Sequence, residues 1–344
     1  MSVWRIWRRT PQRTLYFAPD YRAFNPFQSM LNAALGQGIT AVPVPAKQVV
    51  QGLRDAEPGS VFHLHWTAPV LQWSKEHAEA EQALADFMDA LAGFQARGGK
   101  LIWSIHNALP HDSKFPDLDL DLARLLAERA DRIHVLSPDT PELVANLYAL
   151  DPGRTVVIEH SSYLGQYPDD VSRADARAQL GLDQDAKVIV ALGGIRPYKG
   201  LNRLLDAFEA IADDDARLLV AGQPRAGEFA DELRRRCEAN PQVIAHFARV
   251  PDDELQVWLH AADVAALPYL DILNSGGYWL AVTFGLPVVA PRAGTLTQFD
   301  GEPHVRLFDP GSPQSGTESL QGTLEQALQD LVGNDAARAS ARTA

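Results

Sequence analysis

Cysteine occurs once, at Cys237, so no intramolecular disulfide can form and no cysteine pair can hold a metal. A reducing, cytoplasmic setting suits such a chain. Apolar runs long enough to cross a bilayer, about 20 residues, are absent, as is a signal-peptide core. Positive charge is in deficit. The 344 residues carry 31 Lys and Arg against 44 Asp and Glu, a net charge of −13, which argues against nucleic acid as a partner. There is no P-loop, no G-x-G-x-x-G with a downstream acid and no serine or cysteine nucleophile arrangement. Nucleoside triphosphatase and nicotinamide chemistry are therefore set aside.

One stretch runs against the acidic balance. MSVWRIWRRTPQR carries Arg5, Arg8, Arg9 and Arg13 among Trp4, Ile6 and Trp7 without an acid. Cations interleaved with tryptophan suit an anionic membrane surface, so residues 1–13 are expected to attach the chain peripherally to the inner face of the plasma membrane.

The rest alternates between strand-like and helix-like segments, the pattern of a parallel α/β architecture. The strands are read as TLYFAPD, ITAVPV, SVFHLH, KLIWSIHN, RIHVLS and TVVIEH in the first half. VIVALGG, RLLVAG, QVIAHF, DVAALP and PVVAP follow in the second. The longest helix is expected from about Lys75 to Arg97, and the tail NDAARASARTA is expected to be loose. So many strands exceed one ordinary sheet, and the polar segment from Ser161 reads as a linker followed by a lead-in helix. Two Rossmann-like domains facing each other across a cleft are predicted, residues 1–163 and 164–344.

Ligands of open parallel sheets bind beyond the carboxyl ends of the strands. Those ends carry His63, His65 and Trp66; His106, Asn107 and His111; Gly193 to Lys199; and Pro268, Tyr269 and Asp271. In GGIRPYKGLNRLLDAF a tight loop runs from a buried strand into an amphipathic helix, offering backbone N–H groups, Gly194, Arg196 and Lys199 to a phosphate. A second anion site is read at Asn274, Ser275 and Gly276, which open an apolar helix. Tyr198, Tyr269, Asp271 and Gly277 lie beside these loops, and His65, Trp66, Asn107 and His111 lie together at the strand ends of the first half. The base is expected to be His106, at the end of a central strand, with Asp20 as the carboxylate alternative. His63 and His65 share one strand face, but two ligands do not make a zinc site. Asp117, Asp119 and Asp121 sit where a helix begins and read as first-turn acids. No metal site is assigned.

GGIRPYKG, LLVAG, VPDDELQVWLHAADVAALPY and NSGGYWLAVTFGLPVVAP, in that order, resemble the donor domain of GT-B glycosyltransferases, close to glycosyltransferase family 4. FHLHW, SIHNALPH and NPF resemble the bacterial GDP-mannose:glycolipid β-1,4-mannosyltransferases of exopolysaccharide assembly. The resemblance spans residues 14 to 295 and implies that residues 1–163 take an acceptor and 164–344 a nucleotide sugar, with Arg196 and Lys199 holding the donor diphosphate. By the same resemblance Tyr198, Tyr269, Asp271 and Gly277 are assigned to the donor sugar or nucleoside, and His65, Trp66, Asn107 and His111 to the acceptor. It further implies transfer of a hexose, mannose first, from a GDP- or UDP-linked sugar to a lipid-linked saccharide, with inversion and without metal or other cofactor. Family 4 enzymes usually carry two glutamates eight residues apart before the G-x-P-V-V strand; here Ile272 and Leu280 stand in those places. That departure suits the inverting mannosyltransferase-like group. The rival expectations are a nucleotide-sugar epimerase and a noncatalytic subunit or binding protein of the same fold.

Overall fold

The computed structural model describes residues 13–344. Residues 1–12 of the segment expected to meet a membrane surface lie outside the described residues. By internal contacts the chain divides into two compact units, 1–159 and 160–344.

The first unit is one parallel sheet of six strands: β1 (Arg13–Ala18), β2 (Ile39–Pro43), β3 (Val61–Leu64), β4 (Lys100–Ile105), β5 (Arg132–Val135) and β6 (Thr155–Val157). They lie in the order β2-β1-β3-β4-β5-β6. The near-continuous apolar runs follow from helices covering both faces of a parallel sheet. Phe62, Leu64, Leu101, Trp103 and Ile105 are accordingly buried. The long helix, His77–Ala96, buries Ala80, Leu84, Phe87, Leu91 and Phe94, the three-and-four spacing that puts one stripe against the sheet.

The second unit is also one parallel sheet: β7 (Lys187–Leu192), β8 (Ala216–Ala221), β9 (Val243–His246), β10 (Val264–Ala266), β11 (Val288–Pro291) and β12 (Val305–Phe308). Its order, β12-β11-β10-β7-β8-β9, is the doubly wound Rossmann arrangement read from its far edge. Two apolar clusters fill it. One contains Leu219, Trp258, Leu267, Tyr278 and Phe284; the other contains Ile189, Leu204, Phe208, Leu218 and Leu324. The lead-in helix forms at Arg173–Gln179, where the Ser172 side chain accepts from Asp175 N–H. Arg177 of that helix pairs at 3.0 Å with Asp263, and the same carboxylate accepts from Val188 N–H in β7 at 2.8 Å. Charge buried in this way is tolerated because both partners are fully hydrogen-bonded.

Two features differ from the sequence reading. β12 was not expected, because its four residues include Arg306 and pair with a single neighbour, β11, leaving little apolar signal. The tail is not loose: Asp335–Arg342 is helical, capped by the Asn334 side chain, with Ala337 and Ala341 buried. Arg338 donates to the Ala262 carbonyl at 2.7 Å, and Arg342 reaches Asp169 at 3.2 Å. Small alanines, which look featureless in the sequence, let this helix approach closely. A Cβ at Gly285 would lie 2.8 Å from Arg342 Cγ.

In each sheet the strand order reverses once, between β1 and β3 and between β7 and β10. The loops leaving the two strands diverge there and open a crevice.

Candidate functional site

At the second unit's reversal, β7 ends at Leu192 and the chain turns through Gly193 into a short 3-10 turn, Pro197–Lys199. Gly200, at φ 68°, then opens helix Leu201–Ile211. The positive φ demands glycine, and so does space, because a Cβ there would lie 1.9 Å from the Pro268 carbonyl oxygen. The crevice of about 270 Å³ is lined by Gly193, Gly194, Lys199, Leu201, Pro268 and Tyr269. Lys199 Nζ donates to the Tyr269 hydroxyl at 3.2 Å and lies 4.3 Å from the centre of that ring. Burial opposes the ammonium charge, but the oxygens of Tyr269 and Tyr198 outweigh it, so the Lys199 pKa is raised. Arg196 turns its Nη1 onto the Ile195 and Gln223 carbonyls, 2.8 and 3.2 Å away, beside Gly194.

Beside the crevice, next to Tyr269, Ser275 caps helix Gly276–Thr283, its Oγ accepting from Tyr278 N–H at 3.1 Å. The preceding loop is held from below. Thr295 N–H and hydroxyl both donate to the Leu273 carbonyl at 2.8 Å, and the same hydroxyl is 3.4 Å from Asn274 Oδ1. Asp271 is exposed on that loop. The structure thus brings Gly194, Lys199, Tyr269, Ser275 and Gly277 together around two helix N-termini, which carry partial positive charge. Elsewhere, Trp279 stacks on His160 at 5.4 Å, and Trp73 is about half exposed with Lys47 above it.

Beyond the carboxyl ends of β3 and β4 in the first unit, a pocket of about 350 Å³ is lined by His65, Trp66, Ser104, His106, Asn107 and Pro110 among others. His111 lies further along the loop, half-buried and outside this lining. Trp66 stacks on His106 with ring centres 4.1 Å apart, and Phe27 stands edge-on to His106 at 5.1 Å. His65 Nδ1 is 3.2 Å from His106 Nε2, while its own Nε2 is buried without a partner. Asp20, the alternative base, is held by Arg22 at 2.8 Å, which keeps its carboxyl below the ordinary range and so weakens it as a proton acceptor.

Beneath the pocket runs a polar chain that the sequence reading missed. His134 Nε2 donates to the Ile158 carbonyl at 3.0 Å. A neutral ring then accepts at Nδ1, here from Ser104 Oγ at 2.6 Å, and that oxygen accepts from His63 Nε2 at 2.7 Å. The signal available was a polar residue inside each apolar run, Ser104 in LIWSI and His134 in RIHV. Burial, reinforced by neighbouring imidazoles, pushes His63 down to about 3 and His65 well below its ordinary value. His134 is lowered by burial against the opposing effect of the Ile158 carbonyl. The unfolded chain binds protons at these rings near pH 6.5, where the folded chain does not. Stability is therefore present above pH 6.5 and is lost progressively as pH falls toward 3. The melting temperature should fall steadily from pH 7 to 4.5, while the His63 and His65 imidazole proton resonances stay at neutral-ring positions. Protonation of these rings near pH 6.5 in the folded chain would contradict this account.

Residues 186–326, which contain the Gly194–Lys199 loop and the capped helix opposite it, match the family of group 1 glycosyl transferases. This chain carries a glycosyltransferase domain. Over 268 residues, 78% of this chain and 70% of the relative, it is 26% identical to the GDP-mannose:glycolipid 4-beta-D-mannosyltransferase of Xanthomonas campestris pv. campestris. Over 238 residues, 64% of this chain and 56% of the relative, it is 27% identical to the D-inositol 3-phosphate glycosyltransferase of Corynebacterium glutamicum. HepE of Anabaena, solved with UDP and glucose, superposes with a TM-score of 0.66 at 17% identity, covering 96% of this chain and 95% of that one. WaaG, a glycosyltransferase involved in lipopolysaccharide biosynthesis, superposes with a TM-score of 0.60 at 15% identity, covering 96% and 94%. The two six-stranded units are thus the Rossmann-like domains of the GT-B fold.

Within the glycosyltransferase domain, Ile272 and Leu280 pack half-buried against the apolar core. Side chains so placed have no polar atom to offer a sugar or ribose.

Proposed function

We propose that this glycosyltransferase moves a hexose, mannose by first choice, from a nucleoside-diphosphate sugar to a lipid-linked saccharide, with inversion and without a metal ion. One observation carries the reading: at the β7/β10 reversal a half-buried lysine ammonium and a glycine-opened helix N-terminus line one crevice, and the serine-capped N-terminus of a second helix stands beside it, next to Tyr269. That arrangement fits a diphosphate, whose charge grows as the bond to the sugar breaks. Mannose rests on the likeness to the Xanthomonas mannosyltransferase, and the lipid-linked acceptor on the same relative's glycolipid substrate. UDP remains a candidate beside GDP because HepE was solved with it.

The chemistry asked of the residues is limited. Lys199, Arg196 and the N–H groups that open the two helices stabilise the leaving diphosphate. Arg196 must first leave its backbone carbonyls and offer its planar fork to two phosphate oxygens. On the first unit His106, clamped between Trp66 and Phe27, takes the proton of the acceptor hydroxyl as that oxygen attacks the anomeric carbon. Asn107 and Trp66 line the same pocket and hold the acceptor. Asn274, whose Oδ1 lies 3.4 Å from the Thr295 hydroxyl, stands with Ser275 and Gly276 at the diphosphate end of the second helix.

Thermal unfolding with GDP, UDP, dTDP or ADP, each without added metal, tests the reading. One nucleotide at a hundred times its Kd should add about 2.7 kcal/mol of stability, and the shift should be reduced in Lys199→Met. The absence of any shift would remove the donor-binding assignment and leave a noncatalytic role.

A further inference from the structure

The two anion-binding elements of the glycosyltransferase domain are not independent. They are joined at three successive residues that leave β10. The Pro268 carbonyl oxygen occupies the space a side chain at residue 200 would fill. Leu270 N–H donates to the Tyr198 carbonyl at 2.8 Å. Between them Tyr269, 3% exposed, accepts from Lys199 Nζ at 3.2 Å and lies 3.4 Å from Ser275 Oγ, the cap of the opposite helix. The sequence keeps room for that hydroxyl, since a Cβ at Gly277 would lie 2.6 Å from it. Tyr269 had been assigned to the sugar or nucleoside, but its ring is covered by Lys199 and its oxygen is engaged on two sides.

We propose that Tyr269 is a positioning residue: its hydroxyl ties the Lys199 ammonium to the N-terminus of helix Gly276–Thr283, so that the two sides of the phosphate crevice are set together. The inference rests on the phosphate-binding reading of the crevice. A flexible lysine side chain otherwise disperses its charge over many rotamers, and fixing it before the ligand arrives removes that entropy loss from binding. The tie also fixes the spacing between the lysine and the capped helix. Neither element alone can hold that distance, because they belong to loops about 70 residues apart in the chain.

Y269F deletes the hydroxyl and keeps the ring beneath the ammonium. The Kd of GDP and of UDP is measured by calorimetry on the full chain for wild type, Y269F, K199M and the double variant. Y269F should weaken the nucleotide that binds by roughly ten- to a hundredfold, the range of a hydrogen bond to a charged group. The double variant should bind no worse than K199M alone, because the hydroxyl acts through the lysine. S275A, which cuts the tie from the other side, should weaken binding less and add nothing in the K199M background. An unchanged Kd in Y269F, or losses that multiply in the double variant, would overturn the proposal. If wild type binds neither nucleotide, the phosphate reading falls, and the tie is judged by NMR titration of Lys199. Its midpoint should be lower in Y269F than in wild type; equal midpoints exclude the positioning role.

Discussion

Lys199→Met should lower kcat by about 10²–10³, the usual cost of deleting one preorganised donor to a developing anion. The fold should be intact, because the ammonium sits over an aromatic ring that a thioether can also cover. The loss should fall mainly on kcat, since charge on the leaving diphosphate is greatest in the transition state. Arg196→Ala should cost less. Its guanidinium rests on backbone carbonyls and must be redirected before it can help, so part of its interaction with the ligand is offset by contacts it gives up. Turnover of labelled donor by the two variants, beside their melting temperatures, decides the matter. Equal activity in wild type and Lys199→Met would show that the lysine is structural.

Gly200→Ala should be more damaging than its single methyl suggests. Two costs coincide: a left-handed φ of 68° that alanine resists, and a Cβ 1.9 Å from the Pro268 carbonyl oxygen, a backbone atom with no rotamer to adopt. Relief requires the β7 loop and the β10 loop to separate, which disperses Lys199, Tyr198 and Tyr269 together. We expect about 3 kcal/mol or more of destabilisation and complete loss of the nucleotide-induced shift. By contrast, Gly194→Ala has no atom nearer than Arg196 Nη1 at 3.9 Å and should fold and melt as wild type does. Melting curves of both variants with and without GDP and UDP check the contrast; equal behaviour would mean that the two loops are free to separate.

Much of this was legible in the residues because parallel sheets write themselves plainly. Their strands are short apolar runs, and the polar residues just beyond them stand on the ligand side whatever the strand order. That is why Gly194, Lys199, Ser275, His65, Trp66 and His106 could be picked out before any geometry was known. What could not be read was which polar atom meets which. Tyr269 looked like a surface for a sugar, because a sequence shows an aromatic beside a motif and not the lysine lying across it. Ser104 and His134 were passed over because each reads as one polar interruption of a buried strand, and only their register in β4 and β5 makes them neighbours. The terminal helix was missed for a third reason. Alanine and arginine carry little apolar signal, and its stability comes from a cap and from close tertiary packing.

The strand order of the second unit bears on how the domain is made. β7 emerges first from synthesis, yet it lies at the centre of the sheet, flanked by β8 and by β10. Its pairing with β8 closes a modest loop, but its other edge has no partner until β10 arrives, about 70 residues later. Through that interval the apolar edge of Val188, Ile189 and Val190 is open to solvent and to other nascent chains. The sheet therefore assembles late and cooperatively. The crevice between β7 and β10 exists only once that central pairing has formed, so ligand-binding competence reports that the middle of the sheet is assembled.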